Sequence, residues 1–430
     1  MQLFVRPISG TASAEQVLRR LGARACRRGL APPAALTGDW FGGSAVLAPS
    51  VRIAPVDAAE AFATLDDQPA VSVSAPPGAI GGGWIGYLGY GLTDPGRFPT
   101  GRGLPQAAWG WADHVLRRDA DGQWWFEALH AGEPPEELLT ELGELVAATT
   151  HGGESSWSAG PVTGPEPGRH HKAVRGCLDE IATGEIFQAN ICSRFSLPFE
   201  GDPLELFAAG SARFGPARAA YVGGGWGAVA SLSPELFLSR HGTVVRSSPI
   251  KGTTPRRGPG DDGNAQVLRE STKDVAENVM IVDMARNDLG RVAEVGRVTT
   301  PRLLEVQPHP GVWHLVSEVR AELAEGVPTS ALLAAAFPPA SVTGAPKVRA
   351  LEIIAELESE PREVYCGTVG MSSPVAGAEL NVAIRTLEYA GGELRFGVGG
   401  GITADSAPER EWQECLTKAA PLLSLLGATE

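Results

Sequence analysis

The spacing of apolar residues after residue 170 is the feature that most restricts the fold of this chain. Short stretches in which apolar and polar residues alternate occur in pairs joined by glycine-containing turns. "ELFLSRHGTVVRSS" turns near His241-Gly242, and "AELNVAIRTLEYAGGELRFGVGGG" turns at Ala390–Glu393. Helical stretches such as "STKDVAENVMIVDMARNDLG" separate these hairpins. Because strands and helices do not alternate regularly, the pattern predicts an α+β fold with antiparallel sheets. The 54 glycines and 34 prolines agree with many turns.

A segment rich in glycine, serine and proline, "HGGESSWSAGPVTGPEPGRHH", divides the chain. Such a composition is typical of a linker. The stretch before it, "PPEELLTELGELVAATT", has the apolar spacing of an amphipathic helix. We therefore predict an N-terminal region over residues 1–150, a linker over 151–169 and a catalytic or binding region over 170–428.

Charge and cysteine content exclude several classes of function. A net charge of −14 argues against nucleic acid or an anionic membrane as a partner, but it permits a small anionic substrate held by a few focused cations. The five cysteines include no C-x-x-C pair, which predicts a reduced, cytoplasmic protein without a zinc site. The N-terminus has no secretory signal pattern, and no apolar stretch reaches the roughly 18 residues of a membrane span.

Each of the two hairpins brings charged residues toward a strand end. Antiparallel counting from the first turn places Glu235 opposite about position 247, so Glu235 and Lys251 can share a site. Counting from the second turn places Arg385 close to Gly399, where Gly399–Gly401 can offer backbone N–H groups to an anion. The alternative is a bulged strand end with a surface arginine, and the residues alone leave both interpretations open.

Two helical stretches carry carboxylates beside apolar faces. In "DSAPEREWQECLTKAAPLLSLL", Glu411, Glu414 and Lys418 fall on one side of the helix, at i, i+3 and i+7. Glu277 lies on the flank of the other helix, which is apolar nearly all round in its middle and is therefore predicted to be buried. A buried carboxylate needs a cation, which is either a lysine or arginine or a shared Mg²⁺. Spacing alone does not bring Glu277 and Glu414 together.

A series of motifs then occurs in a fixed order: "IFQANICSRF", "SPELFL", "SPIKGTTPR", "KDVAENVMIVDMARNDLGRV", "VWHLVSEV", "FPPASVTGAPKVRALEII", "YCGTVG", "NVAIRT" and "GVGGGITADSAPEREWQECLTKA". Together they resemble the chorismate-using enzymes, the family of anthranilate synthase component I and aminodeoxychorismate synthase component I. The resemblance is dense over about 170–428 and weaker over 1–150, where "GGGWIGYLGYGL" is similar to the family's N-terminal segment. It implies an antiparallel β-sheet sandwich with helices packed outside, into which the N-terminal region packs.

The resemblance also implies chorismate as the substrate and Mg²⁺ as the cofactor. Glu277 and Glu414 would bind the metal, with Glu411 and Asp274 near it through water. Glu235 would be the general acid that helps the C4 hydroxyl leave. The implied substrate-binding residues are Arg385, Tyr365 and the backbone of Gly399, Gly400 and Gly401 for the side-chain carboxylate, Lys418 near the ring carboxylate, and His314 in the ring pocket.

Lys251 and Gln188 distinguish the branches of this family. Anthranilate synthases usually have Pro-Ile-Ala-Gly-Thr where this chain, like aminodeoxychorismate synthases, has Pro-Ile-Lys-Gly-Thr. The resemblance implies that Lys251 attacks C2 of chorismate as the C4 hydroxyl departs. Ammonia then enters at C4 and expels the lysine, which gives 4-amino-4-deoxychorismate for 4-aminobenzoate, folate or an antibiotic. Gln188 stands where water-adding members usually have a lysine base, so ammonia is the expected nucleophile.

Ammonia needs a source. None of the five cysteines lies in the G-x-C-x-G setting of an amidotransferase nucleophile, so we expect a separate glutamine amidotransferase subunit. The nearest alternative function is that of anthranilate synthase component I, which aminates C2 and releases pyruvate. An alternative of another class is a catalytically idle homologue that only binds partners, and the complete set of charged residues argues against it.

Overall fold

The computed structural model of the protein describes residues 1–72, 75–93, 103–149, 157–256, 258 and 262–427. Within these residues the chain forms 22 β-strands and nine α-helices. The strands are β1 (Gln2–Ile8), β2 (Ala34–Trp40), β3 (Gly43–Ala48), β4 (Ala54–Pro55), β5 (Gly83–Leu88), β6 (Ala107–Ala112), β7 (His114–Arg118), β8 (Trp124–His130), β9 (Ser158–Ala159), β10 (Gln188–Glu200), β11 (Arg218–Gly224), β12 (Gly227–Ser233), β13 (Leu236–His241), β14 (Val244–Ser248), β15 (Ile250–Pro255), β16 (Ala293–His309), β17 (Val312–Leu323), β18 (Gly344–Ala345), β19 (Thr368–Ser373), β20 (Gly377–Asn381), β21 (Thr386–Ala390) and β22 (Glu393–Ile402). The helices are α1 (Ala14–Arg28), α2 (Glu136–Ala147), α3 (Pro167–Ala182), α4 (Pro203–Phe214), α5 (Asp262–Glu270), α6 (Thr272–Gly290), α7 (Thr329–Ala336), α8 (Lys347–Leu357) and α9 (Pro408–Leu426).

The strands form two large antiparallel sheets. The first has 12 strands in the order β1-β8-β7-β3-β2-β11-β12-β21-β22-β10-β18, with β9 paired to β10. The second has 10 strands in the order β15-β17-β14-β13-β20-β19-β5-β6-β4, with β16 paired to β17. This architecture confirms the predicted α+β fold with antiparallel sheets.

The cores show how sheets and helices are layered. One apolar cluster fills the space between the two sheets and includes Leu36 and Val222 from the first sheet and Ile85 and Met371 from the second. A second cluster packs α1, α2, α4 and α9 against the first sheet, and a third packs α6 and α7 against the second. Because each sheet is apolar on both faces, the sheets form a sandwich whose outer faces are covered by helices.

The predicted N-terminal region shares both sheets with the rest of the chain. Strand β2 pairs with β11 in the first sheet, and β5 pairs with β19 in the second. Residues 151–156 of the predicted linker lie outside the described residues. The same is true of residue 428, the last residue of the predicted catalytic or binding region. Within the predicted linker, β9 pairs with β10, and α3 begins at Pro167.

Both predicted hairpins form, as β13–β14 and β21–β22. The second turns on Gly391 and Gly392, whose φ angles of 58° and 81° are the left-handed values that a type I′ turn requires. In the first, an irregularity between Leu236 and Ser239 shifts the register, and Leu236 lies opposite Ser248. Glu235 therefore lies immediately before the strand, between β12 and β13.

Helix α6 differs from the prediction in its burial. Glu277, Ile281 and Leu289 are buried, but Val279 is 44% exposed. The helix lies on the outside of the sandwich, so the predicted burial holds for one face of its middle and not for the face that carries Val279. No helix in the described part of the chain is both long enough and apolar enough to cross a bilayer.

Candidate active site

Lysines and glutamates meet where the first turns of α6 and α9 approach strand β15. Lys251 on β15 has its Nζ 3.2 Å from Oε2 of Glu277 on α6. Lys273, one turn earlier on α6, has its Nζ 3.8 Å from Oε1 of Glu277 and 3.1 Å from Oε1 of Glu411 on α9. Burial by itself lowers the pKa of Lys273, but the charges of Glu411 and Glu277 outweigh it, so the pKa is raised. These contacts join β15 and α6 to α9, which lies far from both in the sequence.

A second ion pair lies one turn further along α9. Lys418 Nζ is 2.8 Å from Oε1 of Glu414 and donates a 2.7 Å hydrogen bond to the carbonyl oxygen of Gly399 on β22. Burial lowers the pKa of Lys418, but the carboxylate of Glu414 outweighs burial and raises it. Burial likewise raises the pKa of Glu414, and Lys418 more than compensates, so that pKa is lowered. Both groups are therefore charged at neutral pH.

The glycine run of β22 forms the floor of this cluster. A Cβ atom on Gly401 would lie 2.5 Å from Nε2 of Gln188 and 2.9 Å from Nζ of Lys251. A Cβ atom on Gly400 would lie 3.2 Å from Oε2 of Glu411 and 3.7 Å from the nearer oxygen of Glu414. Any other residue would fill the space between these polar groups, so glycine keeps them accessible to a ligand.

Two buried carboxylate oxygens in the cluster have no hydrogen-bond donor, namely Oε1 of Glu277 and Oε2 of Glu411. Leaving such an oxygen unsatisfied costs about 1–3 kcal/mol or more. A hard divalent cation prefers carboxylate oxygens, so the donor set fits Mg²⁺. Among the described residues, no three histidine, cysteine, aspartate or glutamate side chains form a preformed metal cage. Lysine ammonium groups lie between the carboxylates instead, and Asp274 lies beside Gly252, where a Cβ atom would be 3.0 Å from its Cγ.

Glu235 is a buried carboxyl group at the entrance to β13. Burial raises its pKa from 4.5 to about 7, although the Ser341 hydroxyl, the Ile250 amide and the charges of Lys251 and Arg385 all lower it. The Ile250 amide adjoins Lys251 in the chain, so the structure places Glu235 close to the lysine. A carboxyl group with this pKa is partly protonated at neutral pH and can donate a proton.

Arg385 and His314 form the part of the site next to Glu235. Arg385 is exposed and adopts a left-handed φ of 50°, and its charge acts on Glu235, His314 and His309. Within the described part of the chain, its guanidinium makes no hydrogen bond or ion pair. His314 is buried, and burial with the charge of Arg385 lowers its pKa to about 3. His314 is therefore neutral, and its Nδ1 lies 2.9 Å from the Thr253 hydroxyl.

Tyr365 lies behind the glycine strand rather than at an open surface. Its ring packs against Gly397, and its hydroxyl is 4.0 Å from the Sγ of Cys192, the residue that pairs with Gly399. Burial raises the pKa of Tyr365 well above its usual value, so the hydroxyl stays protonated. Gln188, in contrast, reaches the cluster, and its buried Oε1 has no donor.

Sequence reasoning missed three cations near the site. Lys273 is the most direct of them, and its i, i+4 spacing to Glu277 was the available signal. Arg362 is paired with Glu358 and donates to the carbonyl oxygens of Val342 and Asn190. Lys347 is bonded to Asp288, Ala336 O and Pro338 O. The last two hold the segment before α8 in place, and no local pattern predicts those long-range partners.

Comparison with known proteins gives consistent matches. A family model described as chorismate binding enzyme matches residues 41–424. Aminodeoxychorismate synthase component 1 of Escherichia coli (strain K12) is 42% identical over 264 residues, which are 60% of this chain and 57% of that protein, less than two thirds of its length. The protein of the same name from Klebsiella aerogenes is 38% identical over 354 residues, 80% of this chain and 77% of that protein. Anthranilate synthase component 1 of Streptomyces coelicolor (strain ATCC BAA-471 / A3(2) / M145) is 34% identical over 389 residues, 84% of this chain and 76% of that protein.

The fold also matches solved structures. Anthranilate synthase component I from Streptococcus pneumoniae TIGR4 superposes with a TM-score of 0.75 at 23% identity, covering 99% of this chain and 92% of that chain. The menaquinone-specific isochorismate synthase from Escherichia coli gives a TM-score of 0.75 at 20% identity, covering 99% of this chain and 94% of that one. At these identities the two structures establish the fold alone.

Proposed function

Because this chain belongs to the chorismate-binding enzyme family, we propose that it aminates chorismate at C4 with ammonia, which gives 4-amino-4-deoxychorismate. The observation that carries this proposal is the position of Lys251. Its ammonium lies 3.2 Å from Glu277 and beside Gly401, in the middle of the charged cluster. The relatives named aminodeoxychorismate synthase component 1, at 38% and 42% identity, support the same reaction.

Lys251 acts as the nucleophile in the proposed reaction. Its Nζ, once deprotonated, forms a bond to C2 while both double bonds of the conjugated ring diene shift and the C4–O bond breaks. The C4 hydroxyl leaves as water after taking a proton. Ammonia then bonds to C4, both double bonds shift back, and the C2–Nζ bond breaks, so the lysine leaves as a neutral amine and C4 carries an ammonium group. The glutamine at Gln188 supports ammonia as the incoming group, because an amide cannot act as a base to activate water.

Glu235 supplies the proton for the departing hydroxyl. Its pKa of about 7 keeps a large fraction of the carboxyl protonated at neutral pH. Its carboxyl group is close to the Ile250 amide and within electrostatic reach of Lys251, the next residue on β15. The amine of Lys251 can therefore attack C2 while the acid of Glu235 protonates the hydroxyl at C4, because the ring diene connects these two carbons.

The remaining residues bind and orient the substrate. We propose that Arg385 and the backbone of Gly399–Gly401 hold the side-chain carboxylate, and that Lys418 lies near the ring carboxylate. Tyr365 would support this strand from behind, through its contact with Gly397. Neutral His314 lines the ring pocket. Glu277 and Glu414 would hold Mg²⁺, with Glu411 and Asp274 close to it, and the ion would supply positive charge for the ring carboxylate.

A separate subunit is the proposed source of ammonia. The relatives from Escherichia coli and Klebsiella aerogenes are named component 1, which implies a second component in those enzymes. We propose that a glutamine amidotransferase subunit supplies ammonia to this chain, and that an ammonium salt replaces the subunit in vitro.

A product assay tests the proposal. The purified protein is incubated with chorismate, MgCl₂ and ammonium chloride at pH 8, and products are separated by chromatography with mass detection. We expect a product with the mass of 4-amino-4-deoxychorismate and no fluorescent anthranilate. Anthranilate formed without an added lyase would instead establish the second candidate, anthranilate synthase. That candidate has support from the relative from Streptomyces coelicolor, which covers 84% of this chain.

Calorimetry separates both enzymes from the idle homologue. Chorismate is titrated into the protein with and without Mg²⁺. We expect Mg²⁺ to increase the affinity for chorismate, and chorismate to increase the affinity for Mg²⁺, because both ligands contact one cluster. A protein that binds neither ligand would be an idle homologue.

A further inference from the structure

We infer that Lys273 is the resident counter-ion of this site in the metal-free protein, and that its ammonium leaves Glu277 and Glu411 when a divalent cation binds there. The inference rests on the metal site of the proposed function. It goes beyond that function, because Lys273 has no part in the proposed chemical steps.

The contacts of Lys273 show a bridge between two helices. Its Nζ donates to Oε1 of Glu411 at 3.1 Å and lies 3.8 Å from Oε1 of Glu277, one turn along its own helix. Glu277 and Glu411 are only 6% and 3% exposed. Two buried carboxylates on neighbouring helices repel each other unless a cation lies between them. Lys273 supplies that cation.

The charge of the whole cluster explains why a bound metal must displace a lysine. Glu277, Glu411 and Glu414 carry three negative charges, and three ammonium groups neutralise them. A divalent cation that entered between these carboxylates would be repelled by the ammonium groups already paired with them. The two oxygens without a hydrogen-bond donor, Oε1 of Glu277 and Oε2 of Glu411, belong to the two residues that Lys273 bridges.

Lys273 is the lysine that can leave most easily. Its side chain is 44% exposed, whereas that of Lys251 is 15% exposed. Lys418 is as exposed as Lys273, but it is also anchored by the carbonyl oxygen of Gly399. Lys273 is bonded only to carboxylates, so its ammonium can move into water without leaving a backbone acceptor unpaired.

The use of lysine at this place supports an exchangeable cation. The chain has 36 basic residues, of which only five are lysines, and three of those five lie in this cluster. Arginine binds a carboxylate with two parallel hydrogen bonds in a rigid plane. A lysine is a strongly hydrated point charge on a flexible stem, which is easier to displace.

Magnesium titration of a variant tests the inference. MgCl₂ is titrated by calorimetry into EDTA-treated wild type and Lys273→Met, which keeps the stem and removes the charge. We expect the Kd for Mg²⁺ to fall about tenfold, which corresponds to about 1.4 kcal/mol. The metal-free variant should also melt at a lower temperature than wild type and gain more from Mg²⁺. Lys172→Met, at an exposed lysine on α3, is the matched control and should bind Mg²⁺ like wild type.

A second measurement uses the unaltered protein. An amine-reactive reagent is applied with and without Mg²⁺, and the labelled lysines are quantified by mass spectrometry. Mg²⁺ should increase the labelling of Lys273 several-fold and leave that of Lys172 unchanged. Unchanged or reduced labelling of Lys273, or an equal or weaker Mg²⁺ affinity in Lys273→Met, overturns the inference while the proposed function stands. If the wild type binds no Mg²⁺, the proposed metal site and this inference both fall.

Discussion

Replacing Glu235 with glutamine should stabilise the protein while removing most of its activity. The pKa of Glu235 is raised from 4.5 to about 7 by burial, so the folded state resists ionisation of this group more than the unfolded state does. The cost is absent below pH 4.5, grows as the pH rises, and is complete above pH 7. Its full size is about 3 kcal/mol, from roughly 1.4 kcal/mol for each unit of pKa. Glutamine has the same shape and never ionises, so it avoids this cost.

Denaturant or thermal unfolding of the metal-free protein at two pH values measures the effect. Glu235→Gln should exceed wild type by about 3 kcal/mol at pH 8 and by less than about 1 kcal/mol at pH 5. The same variant should lose about 10²–10⁴-fold in kcat, because it has no proton to give to the C4 hydroxyl. In wild type, kcat should fall as the pH rises above 7, where the acid form disappears.

The control for this experiment is Glu200→Gln, an exposed glutamate at the end of β10, whose change should not depend on pH. Our account of Glu235 fails if Glu235→Gln is no more stable than wild type at pH 8, or if its stability advantage is the same at both pH values. Retained activity in Glu235→Gln would show that another group protonates the leaving oxygen.

Three further predictions concern the cluster and its supports. Lys251→Ala should slow C4 amination at least about a thousandfold in the product assay, and unchanged amination would remove the covalent role. Gly401→Ala should raise KM for chorismate with little change in Tm, because its Cβ would meet the flexible ends of two side chains, one of them 2.9 Å away at Lys251. The control is Gly168→Ala, whose Cβ would have nothing within 4 Å and which should leave KM unchanged. Arg362→Met should destabilise the protein by about 3–5 kcal/mol in denaturant unfolding, because it leaves Glu358 buried without its 2.6 Å partner. A loss below about 1 kcal/mol would show that Glu358 finds another cation.

Local sequence signals predicted the elements of this fold well. Alternating apolar residues and adjacent glycines predicted the β21–β22 hairpin and its turn, because only left-handed φ angles at both turn residues match the twist of the strands. The prediction was weaker for α6, whose apolar residues extend beyond its buried face to Val279. It was weaker again for the β13–β14 register, since an irregularity in pairing depends on the neighbouring strand β20 as well as on the turn.

The sequence by itself determined the chemical identity of the cluster: which helices carry carboxylates, where the glycines run, and that Lys251 stands in a short strand between two turns. Only the tertiary structure decided which charges meet. Lys273 bridges Glu277 to Glu411, which is 138 residues away from Lys273 in the chain, and Lys251 reaches Glu277 from strand β15. Local spacing extends over a few residues, whereas the partner of a buried charge is chosen by packing and by the cost of leaving it unpaired. The same packing raises the pKa of Glu235, which its sequence neighbours do not reveal.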